Sequence, residues 1–320
     1  METSTPIAYL APPSAIADKL LLCMRVLVFG SGGQLGRELN RARWPVGVEI
    51  AARSHKEQSI VEEVGVRALL AELRPAFVIN AAAYTAVDAA ESDQEAARRA
   101  NADGPGVLAR ACADSQAALI HVSTDYVFDG TQSAPYVEDD APLPLSVYGQ
   151  TKLDGELAVR SALPEHLIVR TSWVYSSFGQ NFVTAMLRLA KEREKLRIVA
   201  DQFGRPTSAA ELAKVLIELM TSCRREQAEG KAVRWGTYHF AGAGRVSRYE
   251  LAQYIIAEQA PVTGREPKIE PIETSSYPTP ARRPMNAVLD TTKIETTFAV
   301  KPEPWQGHVA STVRELLAMK

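Results

Sequence analysis

Tyr148 and Lys152 are the residues of this chain best suited to chemistry, together with Ser123-Thr124-Asp125-Tyr126 upstream of them. A tyrosine and a lysine four apart share one helical face, one turn from each other. There an ammonium favours the phenolate and draws the tyrosine pKa of about 10 toward neutrality. A tyrosine so tuned passes a proton to or from a carbonyl or hydroxyl oxygen while hydride moves at the adjacent carbon. The Thr124 hydroxyl can orient the same oxygen. The pair alone also describes an ordinary solvated helix face, so the reading depends on a nucleotide site elsewhere in the chain.

The sequence predicts one near its start. Arg25-Val26-Leu27-Val28-Phe29 is a short apolar run of the kind that forms a buried parallel strand. It leads into Gly30-Ser31-Gly32-Gly33-Gln34-Leu35-Gly36 and then into helix-like Arg37-Glu38-Leu39-Asn40-Arg41. Strand, glycine turn and helix is the context that a pyrophosphate needs: close backbone approach and the free N–H groups of a helix start. The glycines fall at Gly30, Gly33 and Gly36, not in G-x-G-x-x-G spacing. A second strand, Val48-Glu49-Ile50-Ala51-Ala52, should end at the adenosine ribose. An acidic residue there selects NAD and a basic one pairs with the 2′-phosphate of NADP. The chain has Arg53-Ser54-His55-Lys56 with no carboxylate before Glu57, which argues for NADPH, with NADH the alternative.

With 320 residues, 46% hydrophobic content and a net charge of −2, the chain can bury a large core. Its charge balance gives no electrostatic case for nucleic acid or an anionic membrane as partner. Cys23, Cys112 and Cys223 are widely spaced and suggest a reducing compartment, the cytoplasm, without a disulfide framework. No histidine stands at metal-ligand spacing, and His121 in an apolar strand reads as a core or supporting residue. Residues 1–23 read as a disordered extension and a poor signal peptide, with Met24 a plausible start; nothing reaches transmembrane length.

The elements that must position these residues alternate. Strands are expected at 25–29, 48–52, 76–80, 118–122 and 167–171, and helices near 34–42, 60–74, 87–115 and 146–161. That pattern predicts an α/β fold, a doubly wound Rossmann-like parallel sheet, whose strand ends carry the ligands. Residues 24–175 would form the dinucleotide-binding core. Residues 176–320 would form mainly a smaller C-terminal substrate-binding lobe, interleaved with late strands such as Tyr238-His239-Phe240. Asp201 to Thr207 reads as an ordered loop before a helix.

With these residues placed, the chain resembles the extended short-chain dehydrogenase/reductases, and within them the dTDP-4-dehydrorhamnose reductase family. The likeness runs from Met24 to the C-terminus. Besides the glycine turn and Tyr148-Gly149-Gln150-Thr151-Lys152, it rests on four ordered motifs: Asn80 to Asp88, Ser123 to Gly130, Arg170 to Tyr175, and Ala281-Arg282-Arg283-Pro284. The resemblance implies a catalytic triad of Thr124, Tyr148 and Lys152. Gly33, Gln34 and Leu35 would lie on the pyrophosphate, between Gly30 and Gly36, and Ala83, Tyr84 and Thr85 would flank the cofactor. Arg53, Ser59 and Ile60 would face the adenosine; relatives often carry Asp before Phe or Ile where this chain has Ser59-Ile60. Lys152 would also hold the nicotinamide ribose. Thr124, Asp125, Trp173 and Arg283 would contact a nucleotide sugar. The implied reaction is hydride transfer to C4 of dTDP-4-dehydro-L-rhamnose, with Tyr148 protonating the oxygen. Sugar-nucleotide dehydratases of the same superfamily need a carboxylic acid directly after the Thr-Asp pair; Tyr126 stands there and disfavours dehydration. Some members hold a Mg²⁺ between subunits, and Glu38, Glu192 and Glu315 fall at matching places, consistent with a homodimer. Two alternatives stay open: a non-catalytic NADP-binding subunit like the methionine adenosyltransferase β subunit, and a reductase of another nucleotide 4-keto-6-deoxysugar.

Overall fold

Six runs of the sequence become one sheet. In the computed structural model, which describes residues 24–319, they are β1 (Met24–Phe29), β2 (Val48–Arg53), β3 (Phe77–Asn80), β4 (Ala118–Thr124), β5 (His166–Thr171) and, far later in the chain, β10 (Gly236–His239). Their order is β2-β1-β3-β4-β5-β10, and every neighbouring pair is parallel. The inner strands are buried along almost their whole length. This is why they read as continuous apolar runs and not as alternating ones. The doubly wound parallel sheet expected from the sequence is the observed fold. The expected extension at 1–23 lies outside the described residues.

The helices that cover the sheet are α1 (Gln34–Arg41), α2 (Glu63–Leu73), α3 (Val87–Ala90), α4 (Gln94–Arg98), α5 (Gly104–Ser115), α6 (Val147–Ala162) and α8 (Ala209–Ala228). Successive strand residues point to opposite faces, so β1 feeds two cores. Val26 and Val28 pack with Leu39 of α1 and with Leu212 and Leu216 of α8. Leu27 and Phe29 pack with Leu70 of α2, Leu108 of α5 and Val159 of α6. The expected single helix over 87–115 is broken instead. Between α4 and α5 the chain makes a π-helical turn, Arg99–Asp103, that buries Asn101, a rare device that is frequent at functional sites.

The remaining elements are α7 (Phe182–Glu192), α9 (Arg248–Thr263), α10 (Thr292–Phe298), α11 (Trp305–Ala318) and short strand pairs. β6 (Val174–Tyr175) runs parallel to β9 (Thr207–Ser208), and β7 (Lys195–Val199) parallel to β12 (Lys268–Ile272). β8 (Phe203–Gly204) is antiparallel to β11 (Val246–Ser247). A third core joins Val183 and Leu187 of α7, Leu196 and Ile198 of β7, Leu251 of α9, and Val309 of α11. The segment expected as an ordered loop at 201–207 includes β8 and is held by Arg205, which donates to the Gly242 and Leu289 carbonyls at 2.7 and 2.6 Å. Among the described residues no helix is long and apolar enough to cross a membrane.

Candidate active site

The sheet reverses its winding at β1, with β2 on one side and β3 on the other. Ligands of such sheets bind in the crevice opened by that reversal. The glycine turn leaves β1 there. Gly30 has φ +82°, and a Cβ on it would lie 2.5 Å from the Ala82 nitrogen in the turn after β3. No other residue fits, so both turns close on each other by backbone alone. Gly30 and Ser31 donate to the Arg53 carbonyl at 2.9 and 3.1 Å. Gly33 opens α1 without any side-chain cap, which leaves the first N–H groups of that helix free for an anion.

Two clefts meet at this turn and share Gly32, Gly33, Ala81 and Ala83. The smaller, about 810 Å³, is lined by Gly30, Ser59 and Ile60, and also by Ser54, Lys56 and Arg99. Arg53 is placed differently: its guanidinium donates to the Ala52 carbonyl at 2.9 Å, and Lys56 and Arg99 are the cations on the groove. The larger cleft, about 1430 Å³, takes in Gln34, Leu35, Ala83 and Thr85 at one end. Tyr84 lines neither cleft, because its backbone is clasped in both directions by Asn101: the amide accepts from Tyr84 N at 2.8 Å and donates to its carbonyl at 3.1 Å. Asn101 also donates to Thr151 of α6 at 3.2 Å. Gly36 packs against the turn from inside α1 and does not line the clefts.

Thr124, Asp125, Tyr148 and Lys152 converge on the larger cleft at the carboxyl end of β4. Ser146 caps α6 by accepting from Gly149 N at 3.2 Å, fixing the first turn of the helix. A Cβ at position 149 would lie 2.2 Å from the Tyr126 carbonyl, so glycine lets that turn sit directly on the segment after β4. Tyr126 and Tyr148 meet edge to face, their ring centroids 5.4 Å apart. Thr124 Oγ1 donates to Asp125 Oδ1 at 2.8 Å and accepts from Tyr126 N at 3.2 Å. Lys152 Nζ donates to the Val122 carbonyl of β4 at 2.7 Å.

The electrostatics depart from the expectation. Burial pushes the Tyr148 phenol up, with Thr124 pulling the other way, and Lys152 is not among the groups that shift it. Burial also draws the Lys152 ammonium down to about 8, opposed by Glu156 one turn on. Desolvation therefore outweighs the Tyr–Lys attraction predicted from spacing. The Asp125 carboxyl is pushed up to about 7 by burial, against the Thr124 hydrogen bond and the Arg248 charge. His121 is buried, as expected, with Nδ1 3.0 Å from Asn80 Nδ2.

Trp173 and Arg283 also line the large cleft. Trp173 sits at φ +47°, a left-handed conformation that costs a non-glycine residue roughly 1–3 kcal/mol and clusters at ligand clamps. Arg283 is bound to Asp88 through both terminal nitrogens, at 3.0 and 2.7 Å. Glu38, Glu192 and Glu315 are not brought together as one site. Glu315 pairs with Arg41 beside Glu38, whereas Glu192 pairs with Arg188 on α7. Among the described residues no group of three His, Cys, Asp or Glu could hold a metal ion. Sequence reasoning missed Asn101, hidden inside a helical pattern, and Arg248, whose only local signal is the helix-start pair Ser247 and Glu250.

The RmlD substrate binding domain family matches residues 24–318. A dTDP-4-dehydrorhamnose reductase of Burkholderia thailandensis is 43% identical over 299 residues, covering 92% of this chain and 100% of that protein. Among solved structures, a dTDP-4-dehydrorhamnose reductase of Clostridium acetobutylicum superposes with TM-score 0.84 at 35% identity, covering 92% of this chain and 99% of its own. The enzyme of the same name from Bacillus anthracis, solved in complex with NADP, gives 0.83 at 32%, covering 92% and 100%. The glycine turn, the Tyr148–Lys152 helix and the lobe beside them all lie within these matches, and the chain belongs to the dTDP-4-dehydrorhamnose reductase family.

Proposed function

We propose that this chain reduces the C4 ketone of dTDP-4-dehydro-L-rhamnose to dTDP-L-rhamnose with NADPH, in the cytoplasm. The observation that carries the reading is the convergence of Thr124, Tyr148 and Lys152 on one cleft beside the glycine turn. The turn suits a dinucleotide, because Gly33 opens α1 without a side-chain cap and leaves the first N–H groups of that helix to a pyrophosphate. Gly33, Gln34 and Leu35 would hold its pyrophosphate. Lys56 and Arg99 offer donors at the adenosine end, and these cations favour a 2′-phosphate. NADPH supplies the hydride.

The protein's part is to place the ketone and provide a proton. Tyr148 Oη would donate to the C4 oxygen, and Thr124 Oγ1, which gives its one proton to Asp125 in this structure, would turn that proton to the ketone to share in the contact. A phenol pushed up by burial stays protonated through neutral pH, as a general acid must. As it protonates the oxygen, Tyr148 becomes a buried phenolate, and the Lys152 ammonium on the same helix face stabilises that charge. Tyr126 offers no carboxylic acid to a departing hydroxyl, which favours reduction alone. Buried, unbridged Cys112 and Cys223 suit a reducing compartment.

The test is NADPH oxidation with dTDP-4-dehydro-L-rhamnose, wild type against Tyr148→Phe. Equal rates would overturn the acid role. Failure of the wild type to oxidise NADPH or NADH with any dTDP-4-keto sugar would overturn the reductase reading in favour of a binding subunit.

A further inference from the structure

Arg248 is the first residue of α9, set by the capping box of Ser247 and Glu250. Its guanidinium lies over the Trp173 indole, Cζ 3.5 Å from the ring centroid, with the Phe182 ring 5.0 Å away. A guanidinium that close is in van der Waals contact with the ring, a contact that uses none of its five N–H donors. The group is half-buried and lines the large cleft. Asp125 and Tyr126 act on it only through charge, and among the described residues its side chain has no hydrogen-bond or ion-pair partner.

Arg283, the arginine singled out from sequence, makes an instructive contrast. Its NH1 and NH2 donate to Asp88, and NH1 also reaches Thr279 Oγ1 at 2.5 Å and the Ala281 carbonyl at 3.3 Å. Its charge is neutralised and its donors are engaged within the protein. The cleft thus holds two guanidinium groups near Tyr126, and only Arg248 has its donors free. Trp173, held at φ +47°, occupies the space where a Cβ on Gly204 would meet its indole, so the glycine makes room for the ring under Arg248.

We propose that Arg248 is a binding residue for the diphosphate of the nucleotide sugar and that it sets the affinity for that group where Arg283 does not. The inference rests on the substrate class given above. A sugar whose C4 oxygen meets Tyr148 would carry the diphosphate on its C1 along the same cleft, which Arg248 lines close enough to Asp125 and Tyr126 to feel their charge. A diphosphate offers the several acceptor oxygens that a planar fork of donors matches. Stacking fixes the fork before the ligand arrives, so little side-chain freedom is lost on binding.

The experiment measures binding of dTDP and of thymidine by calorimetry to the full chain, wild type, Arg248→Gln and Arg248→Lys. Steady-state kinetics with the dTDP-4-keto sugar accompany it. Arg248→Gln is expected to weaken dTDP on the order of tenfold to a hundredfold and to raise KM by a similar factor. Thymidine and NADPH binding should not change, kcat should stay within about threefold by the same logic of ground-state contact, and Arg248→Lys should recover part of the loss. Unchanged dTDP affinity in Arg248→Gln overturns the proposal, as does a parallel loss of NADPH or thymidine, which would mark a structural role. A wild type that binds dTDP but reduces no dTDP-4-keto sugar overturns the reductase reading and leaves the Arg248 site standing. A wild type that binds no dTDP overturns both.

Discussion

The two sides of the large cleft are built in different ways. On the sheet side, Thr124, Tyr148 and Lys152 are placed by regular elements: a strand end, a capped helix and a hydrogen bond from Lys152 to the strand that carries Thr124. On the lobe side, Trp173, Arg248 and Arg283 come from the bend before a two-residue strand, a helix start and a loop. They are held there by stacking and one ion pair. The sheet side fixes atoms against one another through backbone geometry, as chemistry demands. The lobe side holds its groups through individual side-chain contacts, which can change without disturbing the sheet. On the function proposed above, chemistry and ligand affinity fall to different walls of one cleft.

Breaking the sheet side should cost most. Tyr148→Phe is expected to lower kcat by a factor on the order of 10² to 10⁴ while NADPH binding holds, read by single-turnover kinetics and fluorescence titration. Gly30→Ala forces a Cβ to 2.5 Å from the Ala82 nitrogen at φ +82°. It should destabilise the fold by about 3 kcal/mol or more and abolish NADPH binding, as urea unfolding and titration would reveal; wild-type values for both would refute the close-approach argument. The Lys152 ammonium, drawn down to about 8 by burial, must be charged to stabilise the phenolate. So kcat/KM should fall as pH rises through about 8, and a flat profile to pH 10 would count against that role. The smallest effect belongs to the lobe side. Asp88→Asn frees the partly exposed Arg283 from an ion pair worth at most about 1 kcal/mol. KM for the nucleotide sugar should move only a few-fold and kcat not at all; a kcat loss as large as that of Tyr148→Phe would erase the distinction between the two walls.

This division also explains what could be read in the sequence. Parallel strands buried on both faces leave contiguous apolar runs, and the five expected in the first half match the observed strands to within two residues at either end. The Tyr-x-x-x-Lys spacing and the glycine turn are local, so Thr124, Tyr148, Lys152, Gly33 and Gln34 all appear on the cleft. The sense of the tyrosine shift was not legible, because spacing reveals a neighbour and says nothing about burial, and burial dominates here. Arg53 was misplaced for a related reason: a strand-end residue's direction depends on the twist of the edge. Arg248 lies 75 positions beyond Trp173 in the chain. No periodicity connects them, and only the folded lobe stacks one on the other.

The lateness of β10 has a consequence for how the chain is made. Residues 236–239 complete the sheet beside β5, and His239 covers the buried Arg170–Glu156 pair, its Nε2 3.4 Å from Arg170. On the ribosome, synthesis runs through all of α7 and α8 before that strand emerges. Until then β5 has an open edge and Arg170 lacks its cover. A nascent chain halted near residue 175 would carry Thr124, Tyr148 and Lys152 and still be an unfinished sheet, prone to pair with another strand. Enzyme and lobe are therefore one unit of synthesis, and activity should appear only after the last sheet strand has left the exit tunnel.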